Sequence, residues 1–298
     1  MPRLRYAIAA AVLVAAGLGM AAHAQQPAAP PFATTKVDGT DNVYVFRYGN
    51  AQSMFVVTSA GVIATDPIGY GRPQAVITYV DEIKKVAAGQ PIKYVVYSHH
   101  HFDHIAGGKP FKDAGATFIA HKRAQERLAV LKDPHTVMPD ETVDANRTIT
   151  LGDTSLELTY LGLNHSDSTL VMRLPKQKVL FAVDFIPVGS VPGRGMIDSY
   201  PIEWEDALKK VIAMDWDKLI PGHPGAPGGR LGTKKDAQDV LVFLQDASAA
   251  VKAEAQAGKC WDGVEKEMKL PKYEAWAGYE TALPFVLRRY CGLWGRGT

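Results

Sequence analysis

Short runs of apolar residues, separated by Gly, Asn and Ser, recur along the first half of the chain. Three of these runs, VYVFRYG, QSMFVVTS and GVIATDP, predict a meander of short strands at positions 43–67. Apolar residues then follow helical spacing over positions 74–88, and the run IKYVVYS at 92–98 predicts a buried strand. A helix from about Lys109 and a strand at 116–121 complete this half of the chain.

A similar order of elements recurs in the second half. Four strand-like runs, RTITLG, LELTYLG, STLVMRLP and KVLFAVDF, lie between positions 147 and 185. A helix is predicted over 201–214, and DKLIPGH at 217–223 predicts a last strand and turn. Two half-chains of this kind indicate an α/β fold in which two sheets pack face to face with helices outside. No linker precedes the helical segment 233–298, so we expect it to extend the same domain.

The N-terminal segment has the pattern of a secretory signal. Arg3 and Arg5 precede an apolar stretch that is short for a membrane span, and the small-x-small run AHA stands directly before Gln25. An uncleaved anchor is the alternative interpretation. We expect residues 1–24 to be a cleaved signal peptide and residues 25–31 a flexible leader. The mature protein would then be periplasmic or secreted, with no stable membrane anchor.

The charge of the chain bears on its partners, and its two cysteines bear on a possible disulfide. The formal net charge is +2, and the predicted signal peptide carries two arginines and no acid, so the mature chain is formally neutral. Neutrality gives no support for nucleic acid as a partner, and we expect a small-molecule substrate. Cys260 and Cys291 would form one disulfide in an oxidising compartment or remain two buried thiols, because sequence does not give their separation. The oligomeric state is left open.

The segment SHHHFDHIAGG at 98–108 carries the strongest chemical signal in the chain. His99 and His101 are two residues apart, so at an extended strand end they point to the same side. Asp103 and His104 follow in the turn and can reach a second point nearby. Imidazole nitrogens with a carboxylate suit zinc first and iron second. We therefore predict a metal site here, in preference to a histidine-rich surface turn.

Further candidate ligands lie at other strand ends. His165 in LGLNHSDST follows one predicted strand, and His223 in LIPGHPG follows the last one. Asp184 ends the apolar run FAVDF, where a lone buried carboxylate needs a cation or hydrogen-bond donors. His121 and His135 stand beside charged or polar segments, and we expect structural or solvated roles for both.

In their order and intervals, these residues resemble the metallo-β-lactamase superfamily. The resemblance covers the chain from about Phe32 to Gly232, and Asp66 matches the acidic residue that opens the motif series of that family. It implies a four-layer αββα sandwich over residues 32–232, with two mixed sheets and flanking helices. The C-terminal helices resemble those of bacterial members.

The resemblance also implies a binuclear zinc centre. The matching ligand positions are His99, His101 and His165 for the first zinc ion, Asp103, His104 and His223 for the second, and Asp184 as the bridge. Two cations that share a water lower its pKa until hydroxide forms near neutral pH. Asp103 is the expected catalytic residue, orienting that nucleophile and accepting its proton. Asp66 is expected to support a ligand or loop. Iron or a mixed metal pair suits the same ligand types.

The implied activity is hydrolysis of a small ester, lactone, thioester or amide by a metal-bridging hydroxide. Asp at position 184 is usual in the thioesterase, lactonase and phosphodiesterase branches, whereas β-lactam hydrolases typically carry Cys or Ser there. The runs HHHFDHIAGG and LIPGHPG nevertheless resemble secreted β-lactam hydrolases, so that activity is the first alternative. An iron-dependent oxidoreductase of the same fold and a binding protein with structural zinc are the others. Loop 186–200 is expected to line the substrate pocket, with Arg194 either facing an anionic group or solvent.

Overall fold

Two mixed β-sheets form the centre of the protein in the computed structural model, which describes residues 31–298. The predicted signal peptide, 1–24, and all of the leader except Pro31 lie outside the described residues. The first sheet has seven strands and the second has five.

The first sheet keeps the order of the chain. Its strands are β1 Phe32–Lys36, β2 Val43–Tyr48, β3 Ala51–Thr58, β4 Gly61–Thr65, β5 Ile92–Val96, β6 Thr117–His121 and β7 Glu141–Val143. Strands β1 to β4 pair antiparallel, and β4 to β7 pair parallel. Parallel neighbours need crossover connections. These contain α1 Pro73–Val86, α2 Phe102–Ile105, α3 Lys109–Asp113 and α4 Lys122–Leu131. The loops that follow β4 and β5 therefore open at the same edge.

The second sheet has the order β12-β11-β10-β9-β8. Its strands are β8 Asn146–Leu151, β9 Thr154–Tyr160, β10 Leu170–Leu174, β11 Val179–Phe181 and β12 Lys218–Ile220. All neighbours are antiparallel except β11 and β12, which are parallel and are connected through α5 Pro201–Ala213. The prediction of a strand up to position 185 is wrong at its end, because β12 is short and pairs only with 179–181. Asp184 thus lies in the turn after β11.

Apolar side chains on both faces of each sheet create four layers. One core lies between the sheets, where Val56 and Ile63 belong to the same cluster as Leu158 and Met172. Helices α1, α3 and α4 cover the outer face of the first sheet, and the ring of Tyr79 stacks on a strand residue there at 4.4 Å. The outer face of the second sheet packs against α5 and the C-terminal helices. This arrangement confirms the predicted αββα sandwich.

The C-terminal segment contains three α-helices, α6 Lys234–Gln256, α7 Asp262–Glu267 and α8 Tyr279–Arg296, and a short 3₁₀ helix, Pro271–Tyr273. Helix α6 begins with a capping box, in which Thr233 and Asp236 each bond the backbone of the other. Residues 31–298 form one compact unit, while a boundary at 232 stays a prediction. In the structure Cys260 and Cys291 form a disulfide with Cα atoms 5.5 Å apart. No helix within residues 31–298 is long and apolar enough to cross a membrane.

Candidate metal centre

The predicted metal ligands lie together in the segments that follow β5, β9, β11 and β12. Their donor atoms form two groups, and the atoms of each group lie within 4.8 Å of one another. The first group is His99, His101, His165 and Asp184, and the second is Asp103, His104, His223 and Asp184. Asp184 belongs to both, which is the geometry that a bridging ligand requires. The structure brings the whole set together, and metal binding by each member stays a prediction.

The first group consists of three imidazoles around one carboxylate oxygen. Nε2 of His165 lies 3.1 Å from Nδ1 of His101. The same His165 nitrogen is 3.5 Å from Oδ2 of Asp184, and Nε2 of His99 is 3.9 Å from that oxygen. Three nitrogens and one oxygen therefore point to a common centre, which is a donor set suited to zinc.

The second group contains two imidazoles and two carboxylates. Nε2 of His104 lies 3.1 Å from Oδ2 of Asp184, and Nε2 of His223 lies 3.2 Å from Oδ1 of the same residue. Oδ2 of Asp103 completes the group at 3.5 Å from Nε2 of His104 and 3.7 Å from Nε2 of His223. Both oxygens of Asp184 thus face candidate ligands.

Two observations show that these residues fit bound cations. Nε2 of His99 is buried and has no hydrogen-bond partner, and a buried polar atom left unpaired is costly. The Nε2 atoms of His104 and His223 lie only 3.2 Å apart. At that distance either a proton on one nitrogen or a cation between them satisfies both lone pairs, and a cation does so for the neutral imidazoles.

Burial and the carboxylates divide the histidines into two kinds. Burial lowers the pKa of His99 well below its ordinary value and lowers the pKa of His165 to about 4. Both are therefore neutral, metal-ligating forms at pH 7. Burial also lowers the pKa of His104 and of His223, but the carboxylate of Asp184 and that of Asp103 outweigh it and raise both values. A divalent ion supplies the positive charge that these carboxylates stabilise, so its binding displaces protons.

The nitrogen that faces away from the centre is supported in several of these histidines. Oγ of Ser98 lies 2.9 Å from Nδ1 of His99. Nδ1 of His223 donates to the backbone carbonyl of Asn50 at 2.5 Å. Such contacts fix the tautomer and the ring orientation of a ligand, leaving the other nitrogen for the metal.

Asp66 lies behind the second group, on the side of the His104 ring that faces away from Asp184. Its Oδ1 accepts a hydrogen bond from the backbone N–H of Ser98 at 2.8 Å, and its Oδ2 lies 4.0 Å from Nδ1 of His104. Burial raises the pKa of Asp66 to about 6. Asp66 faces the nitrogen of His104 that points away from the centre and belongs to neither donor group, so its supporting role stays a prediction.

Two charged residues at the centre, Asp198 and Arg72, are not predicted from the sequence. Oδ2 of Asp198 lies 2.9 Å from Nε2 of His101. Arg72 donates to the carbonyl of Asp103 at 2.6 Å and to Oδ1 of Asn50 at 2.9 Å, which ties two sides of the second group together. Neither residue stands in a motif, and only their distance in three dimensions reveals them.

The sequence analysis also considered Arg194, His121 and His135, none of which belongs to the two donor groups. Arg194 starts a 3₁₀ turn, Arg194–Asp198, in the loop between β11 and α5, and its side chain is outside the described part of the structure. Its role therefore stays a prediction. His121 caps α4, accepting from the backbone N–H of Arg123 and bonding the carbonyl of Asp144 with Nε2. His135 is exposed, and its backbone carbonyl accepts a hydrogen bond from the backbone N–H of Gly107.

The fold and the two His/Asp groups together define an αββα protein with a candidate dinuclear metal centre. The family model of the metallo-β-lactamase superfamily matches residues 53–223. The match covers more than half of the chain, so the chain belongs to this superfamily, and membership supports the prediction of a metal-dependent hydrolase.

Relatives with curated functions are distant. The metallo-β-lactamase type 2 of Elizabethkingia meningoseptica is 27% identical over 181 residues, covering 57% of this chain and 70% of that protein. The 2,4-dinitroanisole O-demethylase subunit alpha of Nocardioides sp. (strain JS1661) is 22% identical over 196 residues, and the match spans 65% of this chain but 58% of that relative.

Solved structures agree on the fold. The DIM-1 metallo-β-lactamase superposes with a TM-score of 0.62 at 21% identity, over 73% of this chain and 99% of that one. A metallo-β-lactamase from Pontibacter korlensis superposes with a TM-score of 0.61 at 21% identity, over 72% of this chain and 99% of the chain of that enzyme. These similarities concern the fold alone.

Proposed function

We propose that the protein is a zinc-dependent hydrolase that uses two metal ions to cleave a small ester, lactone, thioester or amide. The observation that carries the proposal is the position of Asp184, whose two oxygens face both groups of histidines. A carboxylate shared in this way would hold one cation in each group, and the two groups are adjacent. Bound zinc ions acidify water and polarise a carbonyl oxygen. The His-rich first group favours zinc over magnesium or calcium.

Asp103 is the residue that we assign to the attacking water. Its side chain is 44% exposed, more than any other carboxylate in the two groups, so it faces the opening of the site. Burial would raise its pKa, but His104 and His223 outweigh that effect and lower the pKa to about 2. A carboxylate of such low basicity is ionised at neutral pH. The ionised carboxylate would orient the water by accepting its hydrogen bond, and the weak basicity of Asp103 as the proton acceptor would be compensated by a metal ion that acidifies the water.

Apolar side chains beside the site favour a substrate with an apolar part. Tyr70 is 60% exposed and stacks on Phe102, which directly precedes Asp103, with ring centroids 6.3 Å apart. Ile197 is 66% exposed and directly precedes Asp198. Both offer surface that an uncharged small molecule would cover.

Hydrolysis of β-lactams is the second candidate. It is favoured by the relatives named metallo-β-lactamase, and it is disfavoured by Asp at position 184, where that activity typically goes with Cys or Ser. The O-demethylase subunit among the relatives extends the range of reactions to be tested to an activated aryl ether.

We also propose a periplasmic or secreted location for the mature protein. The signal-like segment before Gln25 supports it, and so does the disulfide between Cys260 and Cys291, because such bonds persist in oxidising compartments. Fractionation of cells that express the full chain tests the location. Mass determination of the mature N-terminus tests cleavage of the signal-like segment. A full-length chain in the cytoplasm would contradict the proposal.

Activity is best tested with a panel of substrates on the purified, zinc-loaded mature protein. The panel contains an acyl lactone, a thioester, a chromogenic cephalosporin and 2,4-dinitroanisole. We expect the lactone or the thioester to be hydrolysed, with loss of activity in His101→Ala and full activity in His135→Ala, an exposed histidine outside both groups. Rapid cephalosporin opening would establish the second candidate instead. Metal analysis that finds only iron in a protein inactive on the whole panel would overturn the hydrolase proposal.

A further inference from the structure

We propose that Asp198 is a positioning residue for His101, and that the C-terminal helix α8 holds it in place. The proposal rests on the metal centre assigned above, in which His101 binds the first ion. It concerns a residue outside the predicted ligand set and a helix outside the segment that the family model matches.

The two nitrogens of His101 face different partners. Nδ1 lies 3.1 Å from Nε2 of His165, inside the first group. Nε2 lies 2.9 Å from Oδ2 of Asp198, on the opposite side of the ring. A carboxylate in that position accepts the Nε2 proton, which leaves the lone pair of Nδ1 directed at the metal. It also makes the imidazole a stronger donor to a cation.

Asp198 is itself held on one side by His100, the neighbour of the ligand that it orients. Nε2 of His100 lies 3.6 Å from Oδ2 of Asp198. On its other side, Nδ1 of His100 lies 2.8 Å from Oγ of Ser168, in the loop that carries His165. His100 and Ser168 are both buried, so the bond between them has little competition from water. The second histidine of SHHHFDH thus has a position behind the centre, although no ligand role was predicted for it.

The backbone beside Asp198 is fixed by helix α8. Nε of Arg289 donates to the carbonyl of Ser199 at 2.7 Å. Ser199 is fully buried, and its hydroxyl closes the preceding 3₁₀ turn by donating to the carbonyl of Met196 at 2.9 Å. Two residues beyond Arg289, Cys291 anchors the same helix through its disulfide. The C-terminal extension therefore braces the turn that presents Asp198 to His101.

Zinc affinity tests the role of Asp198 independently of catalysis. We expect Asp198→Ala to weaken the first ion about 10- to 100-fold in competition with a chromogenic chelator, while the second ion binds as in the wild type. Asp198→Asn, which keeps a hydrogen-bond acceptor, should recover part of that loss. The cobalt-substituted protein should show an altered ligand-field spectrum of the first ion in both variants. Asp206→Ala, an exposed carboxylate on α5, is the matched control and should change nothing.

The bracing by α8 has a test of its own. Arg289→Gln should weaken the first ion about 3- to 10-fold, whereas Arg288→Gln, which removes a surface ion pair with Glu265, should not. Equal affinity for the first ion in Asp198→Ala, Asp198→Asn and the wild type would overturn the positioning role. A third equivalent of zinc in the wild type that disappears in Asp198→Ala would also overturn it, because Asp198 would then be a ligand.

His101→Ala separates this proposal from the one on which it rests. If His101→Ala keeps both ions, the proposed metal centre fails. If His101→Ala loses the first ion and the Asp198 variants do not, the metal centre stands and only the role of Asp198 fails.

Discussion

The carboxylate of Asp66 and the imidazole of His104 face each other at 4.0 Å, and neither side chain has any exposed surface. The contact lies directly behind the second donor group, because His104 presents its other nitrogen to Asp184. A buried charge of this kind supports a metal ligand at a cost to the fold.

Asp66→Asn should stabilise the metal-free protein at alkaline pH. Burial raises the pKa of Asp66 from 3.8 to about 6, so the folded state holds this proton more tightly than the unfolded state. Ionisation above pH 6 therefore costs stability, on the order of 2–3 kcal/mol for a shift of about two units. Denaturant unfolding should show the gain in full at pH 8 and its disappearance by about pH 4.

The same variant should bind the second zinc ion about 10- to 100-fold more weakly, since it no longer supports His104 with a charge. A metal-free Asp66→Asn protein that is less stable than the wild type at pH 8 would contradict this account. Binding of the first zinc ion serves as the internal control for correct folding.

Gly222→Ala should damage the second donor group by crowding alone. A Cβ atom at this position would lie 2.2 Å from Cγ1 of Val183 and 2.9 Å from Cε1 of His104. Both neighbours are buried, so relief requires movement of a candidate ligand or of the residue before Asp184. We expect a loss of about 1–3 kcal/mol in the free energy of unfolding and weaker binding of the second ion. Gly263→Ala, where a Cβ meets nothing within 4 Å, should keep both properties.

Asp236→Asn should destabilise the start of α6. Asp236 accepts from Arg230 and from the backbone N–H of Thr233, and these donors outweigh burial and lower its pKa. Because the folded pKa is depressed, the stabilisation is present above about pH 4 and is lost as the pH falls below it. At pH 7 the substitution should cost about 1 kcal/mol in thermal or denaturant unfolding. Asp239→Asn, which removes an ion pair with Lys235 on the same helix but leaves the capping box intact, is the control, and an equal loss there would contradict the capping role.

Removal of the disulfide should loosen the C-terminal segment. The bond closes a loop over a sequence separation of 31 residues, and a crosslink over that length is worth about 3–4 kcal/mol through the entropy of the unfolded chain. The double variant Cys260→Ser, Cys291→Ser should therefore unfold at lower denaturant concentration, and reduction of the wild type should have the same effect. An oxidised wild type with two titratable thiols would show that the cysteines do not pair.

Features carried by short-range patterns could be predicted from the sequence. The spacing of His99 and His101, and the position of His223 at a strand end, lead to residues that the structure indeed brings together. Alternating apolar runs give the sandwich, because each sheet must bury a face. The sequence predicts that the strand before Asp184 continues to position 185, whereas it ends at 181. Its pairing is limited by the short neighbour β12, and apolar composition does not reveal the length of that neighbour.

Support for the ligands could not be predicted, because it depends on contacts between distant segments. Asp198 lies in a Gly- and Pro-rich loop with no motif and reaches His101 across 97 positions of sequence. The group that holds His223 is a backbone carbonyl, that of Asn50, which any residue type would supply. The bracing bond of Arg289 likewise ends on a carbonyl. Residue types carry no signal for such partners.

Asp184 and Asp103 should differ in how many ions each one holds. Both oxygens of Asp184 face candidate ligands and connect the two groups, whereas Asp103 belongs only to the second group. Asp184→Ala should therefore weaken both zinc ions, and Asp103→Ala should weaken the second ion while the first remains. Metal content after dialysis at fixed free zinc measures the difference, with Asp215→Ala, an exposed carboxylate paired with Lys178, as the control. Activity on the best substrate should fall by a factor of at least about 10² in both variants, since Asp184→Ala weakens both metal ions and Asp103→Ala removes the residue assigned to the attacking water. Retention of one tightly bound ion in Asp184→Ala would show that this carboxylate does not bridge, and the two groups would then have to be treated as separate sites.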